Sequence, residues 1–147
     1  MDATDRKTQL FFPALGGFYD WVRPYVYPLM RFATGAILIP NGWDKVMAGL
    51  AATVATMTRQ GFPAPTLVAV LVIATETIGG LCVAIGLFTR FWAAAMAIEL
   101  AIIAFKVQLP NGYPRFEQFL LWGILAFAIA LRGGGRCSVD RLIGKEL

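Results

Sequence analysis

The chain has 147 residues, of which 58% are hydrophobic, with a net charge of +4 and a mean hydropathy of +0.65. Its charges lie in short clusters between long uncharged runs, which is typical of a multi-spanning membrane protein and excludes an ordinary soluble domain. The positive residues lie at the ends of these runs, so the net charge indicates no nucleic-acid partner. Because histidine is absent, a histidine-ligated haem within this chain is excluded, and no metal site is predicted.

Four apolar runs predict four transmembrane helices. The second run contains 23 residues, which as a helix is about 35 Å long, enough to cross a bilayer core of about 30 Å. The sequence therefore predicts an all-α integral membrane four-helix bundle over residues 25–132, between an interfacial segment, 1–24, and a C-terminal tail, 133–147. The four runs are Tyr25–Trp43, Thr66–Phe88, Phe91–Leu109 and Phe116–Leu131.

The connections between the runs add three expectations. Leu50, Val54 and Met57 fall at i, i+4 and i+7, which predicts a short helix on the outer surface between the first and second spans. The second and third spans are joined by a very short turn, so they are expected to be antiparallel neighbours. Three consecutive glycines after Arg132 predict a flexible exit from the membrane.

The distribution of Lys and Arg predicts the orientation of the bundle. Nine of the 13 basic residues fall on the side that carries both termini, and four fall on the opposite side. Since basic residues accumulate on the cytoplasmic side, both termini are expected in the cytoplasm of a bacterium, with the spans in its inner membrane. The nine are Arg6, Lys7, Arg23, Arg31, Arg90, Arg132, Arg136, Arg141 and Lys145.

Three ionisable residues fall inside predicted spans. Glu76 shares a helical face with Gly79 and Gly80, and small residues on that face allow another backbone to approach closely. Counted inward at about 1.5 Å per residue, Arg31 and Glu99 lie at depths near that of Glu76. We therefore expect Arg31 to contact Glu76 or Glu99, or to lie between them, because an isolated ion near the bilayer centre is costly.

Two interpretations of these buried charges remain open. They form either a polar staple that holds the helices in register or a proton-coupled site for a small ligand such as a quinone. In the second case Arg31, a protonated Glu76 or Glu99, and Trp92 or Trp122 would bind the ligand. A solute transporter is the least favoured class, because four short helices leave little room for a pathway.

Several short motifs occur in an order that resembles the DoxX family of small four-helix bacterial membrane proteins. The similarity extends from Arg31 to Leu131. The motifs are Arg31-Phe-Ala-Thr-Gly35, Asn41-Gly42-Trp43-Asp44-Lys45, Gly61-Phe62-Pro63, Glu76-Thr-Ile-Gly79-Gly80 and Gly86-Leu87-Phe88-Thr89-Arg90.

The resemblance implies a four-helix membrane fold and a link to redox work. Relatives include the membrane subunit of a thiosulfate:quinone oxidoreductase and a component of a mycobacterial complex that handles oxidative and thiol stress. The family's arginine falls on Arg31, its glutamate on Glu76, and its glycine-to-lysine segment on Gly42 and Lys45. Many members have histidine where this chain has Asn41, so a proton-transfer role at that position is in doubt.

The expected function is that of an accessory membrane subunit of a quinone-linked redox system. The chain has no predicted flavin, haem or iron–sulfur site, so a partner protein would carry the redox cofactor, with a quinone as the expected non-covalent ligand and lipids as further partners. The alternative is a non-catalytic subunit that stabilises or assembles a larger membrane complex. Ligand binding is assigned to Arg31, Glu76, Glu99, Trp92 and Trp122, and structural roles to Gly42, Lys45, Gly79, Gly80 and Arg90.

Overall fold

A computed structural model describes residues 11–145, and every regular element within that range is helical. The all-α prediction is thereby confirmed for the described part of the chain. A single 3₁₀ turn, Pro13–Leu15, precedes the first helix. The helices are α1 (Gly16–Ala48), α2 (Leu50–Arg59), α3 (Pro65–Ile85), α4 (Thr89–Asn111), α5 (Tyr113–Arg132) and α6 (Val139–Ile143).

Three of these helices, α3, α4 and α5, are long and apolar enough to cross a membrane. They cover the second, third and fourth predicted spans. Helix α1 covers the first, but its apolar character is interrupted by Arg31 and by Pro24, Pro28 and Pro40. Three spans are therefore supported by length and composition, while the fourth span and the orientation of the termini stay predictions.

Helix α1 is much longer than the predicted first span. It contains 33 residues, which corresponds to a length of about 50 Å. Residues 16–24, expected to form part of a separate interfacial segment, continue the same helix, because Pro24 and Pro28 are accommodated without ending it. Residues 1–10 lie outside the described part of the chain.

Glycines bring α1 and α3 together. A Cβ added at Gly35 would collide with the backbone of Gly80 and Ala84, and one at Gly80 would lie 3.0 Å from the Gly35 carbonyl oxygen. Gly42 lies equally close to Glu76 and Thr77, where an added Cβ would be 2.8 Å from the Thr77 nitrogen. The predicted close approach along this glycine-rich face is confirmed, and it brings the α1 backbone directly against Glu76.

The C-terminal segment folds back over one end of the bundle, which we call the C-terminal end. Asp140 is fully buried there and accepts hydrogen bonds from Phe88 N at 2.7 Å, Thr89 N at 2.9 Å and Thr89 Oγ1 at 2.7 Å. It caps the first turn of α4, where the free N–H groups and the helix dipole favour a carboxylate.

The three glycines before this segment form a packed loop, so the prediction of a flexible exit is wrong. Cβ atoms at Gly134 and Gly135 would lie 2.7 Å from Ser138 Cβ and 2.8 Å from Tyr27 Cε1. The Tyr27 hydroxyl also donates a hydrogen bond to the Gly133 carbonyl oxygen. Side chains at these positions would push the loop away from the bundle.

At the opposite end, the α2 end, the predicted short helix is present and packs against α3. Met57 forms a small apolar cluster there with Ala69 and Val72, and Val54 and Phe62 pack at its edge. Helices α1, α2 and α3 make one group and α4 and α5 another, since few contacts join the first half of α3 to α4 or α1 to α5. The two groups meet in a common core at the C-terminal end and separate toward the α2 end.

Candidate functional site

A cavity of about 630 Å³ lies between the two groups of helices. This volume is within the range of about 300–1,000 Å³ that is usual for small-molecule sites. Most of its wall is made of aliphatic and aromatic side chains, as such sites require. The polar side chains in the wall are Asn41, Lys45, Thr56, Gln60, Thr75, Glu76, Glu99, Gln108 and Gln118.

A cluster of three ionisable side chains, Lys45, Glu76 and Glu99, lies in the wall of the cavity. The ammonium group of Lys45 forms a salt bridge with the buried Glu76 carboxylate and lies 3.3 Å from the Asn41 carbonyl oxygen. The Glu99 carboxyl interacts with the side chains of Glu76 and Thr75. Helices α1, α3 and α4 thus each contribute one member of the Lys45–Glu76–Glu99 cluster.

The backbone of α3 is adapted at the position of Glu76. Residues Thr75–Gly79 form a π-helical turn inside an otherwise α-helical span, and Thr77 donates its hydroxyl to the Ile73 carbonyl oxygen. A π-helical turn inserts an extra residue and reorients the side chains around it, and such turns are frequent at functional sites. Here the turn presents Glu76 to α1 and α4 together.

The Lys45–Glu76–Glu99 cluster contains one group that can carry a positive charge and two that can carry a negative charge. One ammonium group cannot neutralise two carboxylates, so the cluster is neutral only when one carboxyl carries a proton. Two buried oxygen atoms of residues in the cavity wall, Glu99 Oε1 and Gln108 Oε1, have no hydrogen-bond partner among the described residues. These oxygens can accept hydrogen bonds from a ligand that carries a donor group, and the apolar walls can pack against an apolar body.

Arg31 lies outside the cluster, so the prediction that it contacts Glu76 or Glu99 is wrong. Its guanidinium group donates hydrogen bonds to the carbonyl oxygens of Gly134 at 2.7 Å, Cys137 at 2.6 Å and Ala84 at 3.4 Å. These carbonyls belong to the folded-back C-terminal loop and to the end of α3. The loop supplies acceptors that a depth count along a single span does not include. They accept hydrogen bonds from both terminal nitrogens of the guanidinium group, while its buried Nε has no hydrogen-bond partner among the described residues.

The two predicted tryptophans have different positions. Trp122 of α5 lines the cavity, whereas Trp92 packs on Gly79, where an added Cβ would lie 2.7 Å from Trp92 Cε3. Trp92 therefore packs in the contact between α3 and α4, which Gly79 makes possible. Arg90, predicted to be structural, donates to the Leu131 carbonyl oxygen at 2.9 Å at the end of α5.

The predicted site residues are thus divided between two ends of the molecule. Glu76, Glu99 and Trp122 are brought together around the cavity, while Arg31 and Trp92 are not. The residue missed as a site member is Lys45, which was assigned a structural role only. The spacing of Leu38, Asn41 and Lys45 at i+3 and i+4 shows that they share one face of α1, but it does not show which acidic residue that face meets.

Two comparisons with known proteins bear on this arrangement. The DoxX family model matches residues 27–109. A protein of Bacillus subtilis (strain 168) named "Putative oxidoreductase CatD" is 32% identical over 120 residues, covering 80% of this chain and 86% of that protein. No solved structure matches the chain. The family match covers more than half of the chain, including α1 from Tyr27 and all of the Lys45–Glu76–Glu99 cluster, and the chain therefore belongs to the DoxX family.

Proposed function

We propose that this protein is a four-span subunit of the bacterial inner membrane that binds a quinone, or a similar lipophilic ring compound, for a redox partner. The observation that carries the proposal is the cavity of about 630 Å³, in which the Lys45–Glu76–Glu99 cluster faces aliphatic and aromatic walls. The oxidoreductase name of the Bacillus subtilis relative supports a redox setting.

The residues of the cavity fit the ligand class. Lys45 is a hydrogen-bond donor, and Glu99 is a donor when protonated and an acceptor when ionised, so together they suit an oxygen that changes between carbonyl and hydroxyl. Phe119 and Trp122 offer aromatic surface for a ring. A bound quinone supplies two-electron chemistry, for which the partner protein would provide the electrons.

The role proposed for this chain is to bind the ring and to hold a proton beside it. Glu76 is neutralised by Lys45, which leaves Glu99 as the carboxyl without a cation of its own. In a low-dielectric site one proton distributed over the two carboxyls keeps the cluster neutral. A proton held at Glu99 is available to a ligand oxygen that becomes a hydroxyl.

Ligand retention tests this proposal. The protein is extracted from membranes in a mild detergent, purified, and analysed by chromatography for bound quinone. We expect wild-type protein to retain quinone, and Glu99→Leu to retain about tenfold less, since a hydrogen bond to an ionisable group contributes about 1.5 kcal/mol or more.

Glu117→Leu is the matched control, because Glu117 is an exposed carboxylate on α5 that does not line the cavity. It is expected to retain as much quinone as the wild type. Wild-type protein without quinone, and with no rise in thermal stability when quinone is added, would refute the proposal. Stoichiometric recovery of a large partner under those conditions would favour an assembly subunit instead.

A further inference from the structure

Part of the cavity wall also forms the outer surface of the molecule. Leu71 of α3 and Ile98 and Ile102 of α4 line the cavity, yet they are 55%, 64% and 44% exposed. A side chain that belongs to the cavity wall and to the molecular surface marks a place where the two are continuous. We call this place the α3–α4 window.

The window opens on a surface suited to lipid. Its three side chains are aliphatic, and they belong to two helices that are apolar and long enough to cross a membrane. The first half of α3 makes few contacts with α4, so within residues 11–145 no packed interface closes the gap. An opening of this kind admits molecules dissolved in the bilayer.

The α2 end of the cavity is covered in a different way. The turn after α2 contributes Gln60, Phe62 and Pro63 to the cavity wall. Lys106 of α4 donates a hydrogen bond to the Gly61 carbonyl oxygen at 2.9 Å, and its ammonium nitrogen lies 4.2 Å from the centre of the Phe62 ring. These contacts tie the two groups of helices together over the cavity at its α2 end.

We propose that the ligand carries a long apolar tail, which leaves the cavity through the α3–α4 window while the ring lies at the Lys45–Glu76–Glu99 cluster. The inference rests on the proposed function and defines its ligand class as membrane-dissolved quinones with an alkyl or isoprenoid chain. The window provides the tail with three aliphatic side chains. The exposed part of the cavity wall on α1 pairs Ile37, 45% exposed, with the polar Asn41, which suits an apolar tail less well.

Two residues of the same type on α3 allow a matched test. Leu71 lines the cavity and is 55% exposed, whereas Leu81 is 54% exposed and does not line it. Binding of a decyl-substituted benzoquinone and of the same ring without the decyl chain is measured for wild type, Leu71→Trp and Leu81→Trp. Bound ligand is quantified by chromatography after rapid gel filtration in detergent.

We expect Leu71→Trp to weaken binding of the decyl compound about tenfold, because an indole in the window and the tail compete for the same space. Binding of the tail-less ring should stay within about twofold of wild type, as should binding of both compounds to Leu81→Trp. Ile98→Trp, on the other side of the window, should reproduce the Leu71→Trp result.

The two proposals fail in different ways. If both compounds bind and depend on Glu99, but Leu71→Trp and Ile98→Trp behave like Leu81→Trp, the tail does not use the window and the inference is wrong while the proposed function stands. If neither compound binds wild-type protein, the proposed function is wrong and the tail assignment falls with it.

Discussion

At the scale of single residues, the pairing of buried charges depends on which cation reaches Glu76. Arg31 and Lys45 lie on the same helix, but Lys45 forms the salt bridge, and the two terminal nitrogens of Arg31 donate to backbone carbonyls at the other end of the molecule. Gly42 accounts for part of this, because it lets α1 approach the backbone of Glu76 closely. The ammonium group three residues later is then held at the carboxylate.

Replacing Lys45 tests this pairing. Lys45→Met is expected to lower the free energy of unfolding by about 3 kcal/mol, because removal of one partner leaves the other buried without a counter-charge. The double variant Lys45→Met, Glu76→Gln should recover more than half of that loss. Thermal unfolding of the wild type, both single variants and the double variant in one detergent measures the coupling. Losses that simply add would show that the two side chains do not interact.

At the scale of elements, the C-terminal segment, residues 133–143, packs back onto the bundle and stabilises its C-terminal end. The Arg31 guanidinium group and the Tyr27 hydroxyl donate hydrogen bonds to carbonyl oxygens of this segment. The Asp140 carboxylate of the segment in turn accepts a hydrogen bond from the first turn of α4. Segments far apart in the chain thereby satisfy one another's polar groups, which cannot remain unpaired where water is scarce. The C-terminal segment and the cavity lie at different ends of the helices. Substitutions that loosen the segment are therefore expected to leave ligand binding in the cavity unchanged.

Arg31→Met tests this separation. Without the guanidinium group, residues 133–141 should open more often. Tryptic cleavage at the exposed Arg136 and Arg141 should become at least about tenfold faster, since the variant loses two charge-assisted hydrogen bonds to this loop. Quinone retention should not change, since Arg31 does not line the cavity.

Arg23→Met provides the control for that experiment. Arg23 lies on the same helix, is exposed, and makes only a 3.9 Å ion pair with Asp20 among the ion pairs described. Tryptic cleavage of Arg23→Met at Arg136 and Arg141 should be as fast as in the wild type. Reduced quinone retention in Arg31→Met with unchanged cleavage would restore the ligand role that the sequence predicts for Arg31.

At the scale of the whole molecule, the helices join at one end and separate at the other. Glycines and small residues pack α1, α3, α4 and α5 together near the C-terminal end, while toward the α2 end the separation of the two groups forms the cavity. Helix α1 packs beside α3 in this arrangement, and its crossing of the membrane stays a prediction, since Arg31 and three prolines make it less apolar than the other three long helices.

Thiol labelling tests the four-span topology. Cys137 is exposed in the C-terminal segment, so in a Cys82→Ala variant a membrane-impermeant maleimide should react with it only after spheroplasts are broken open. A cysteine at the exposed Thr58 of α2, in a variant without both natural cysteines, should react in intact spheroplasts. Reaction of Cys137 in intact spheroplasts would contradict a cytoplasmic C-terminus.

The sequence alone determined the helical membrane class, the positions of the apolar spans, the short helix before α3 and the inward-facing glycines, because hydropathy and helical periodicity are properties of local sequence. It also predicted that Glu76 and Glu99 face the protein interior, since an acidic residue inside an apolar span is costly in contact with lipid. Only the tertiary structure decided that Lys45 pairs with Glu76, that Arg31 holds the C-terminal loop, and that the helices separate around a cavity. Those features depend on which polar groups of distant segments come to lie next to each other in the folded bundle. The periodicity of one helix carries no information about that.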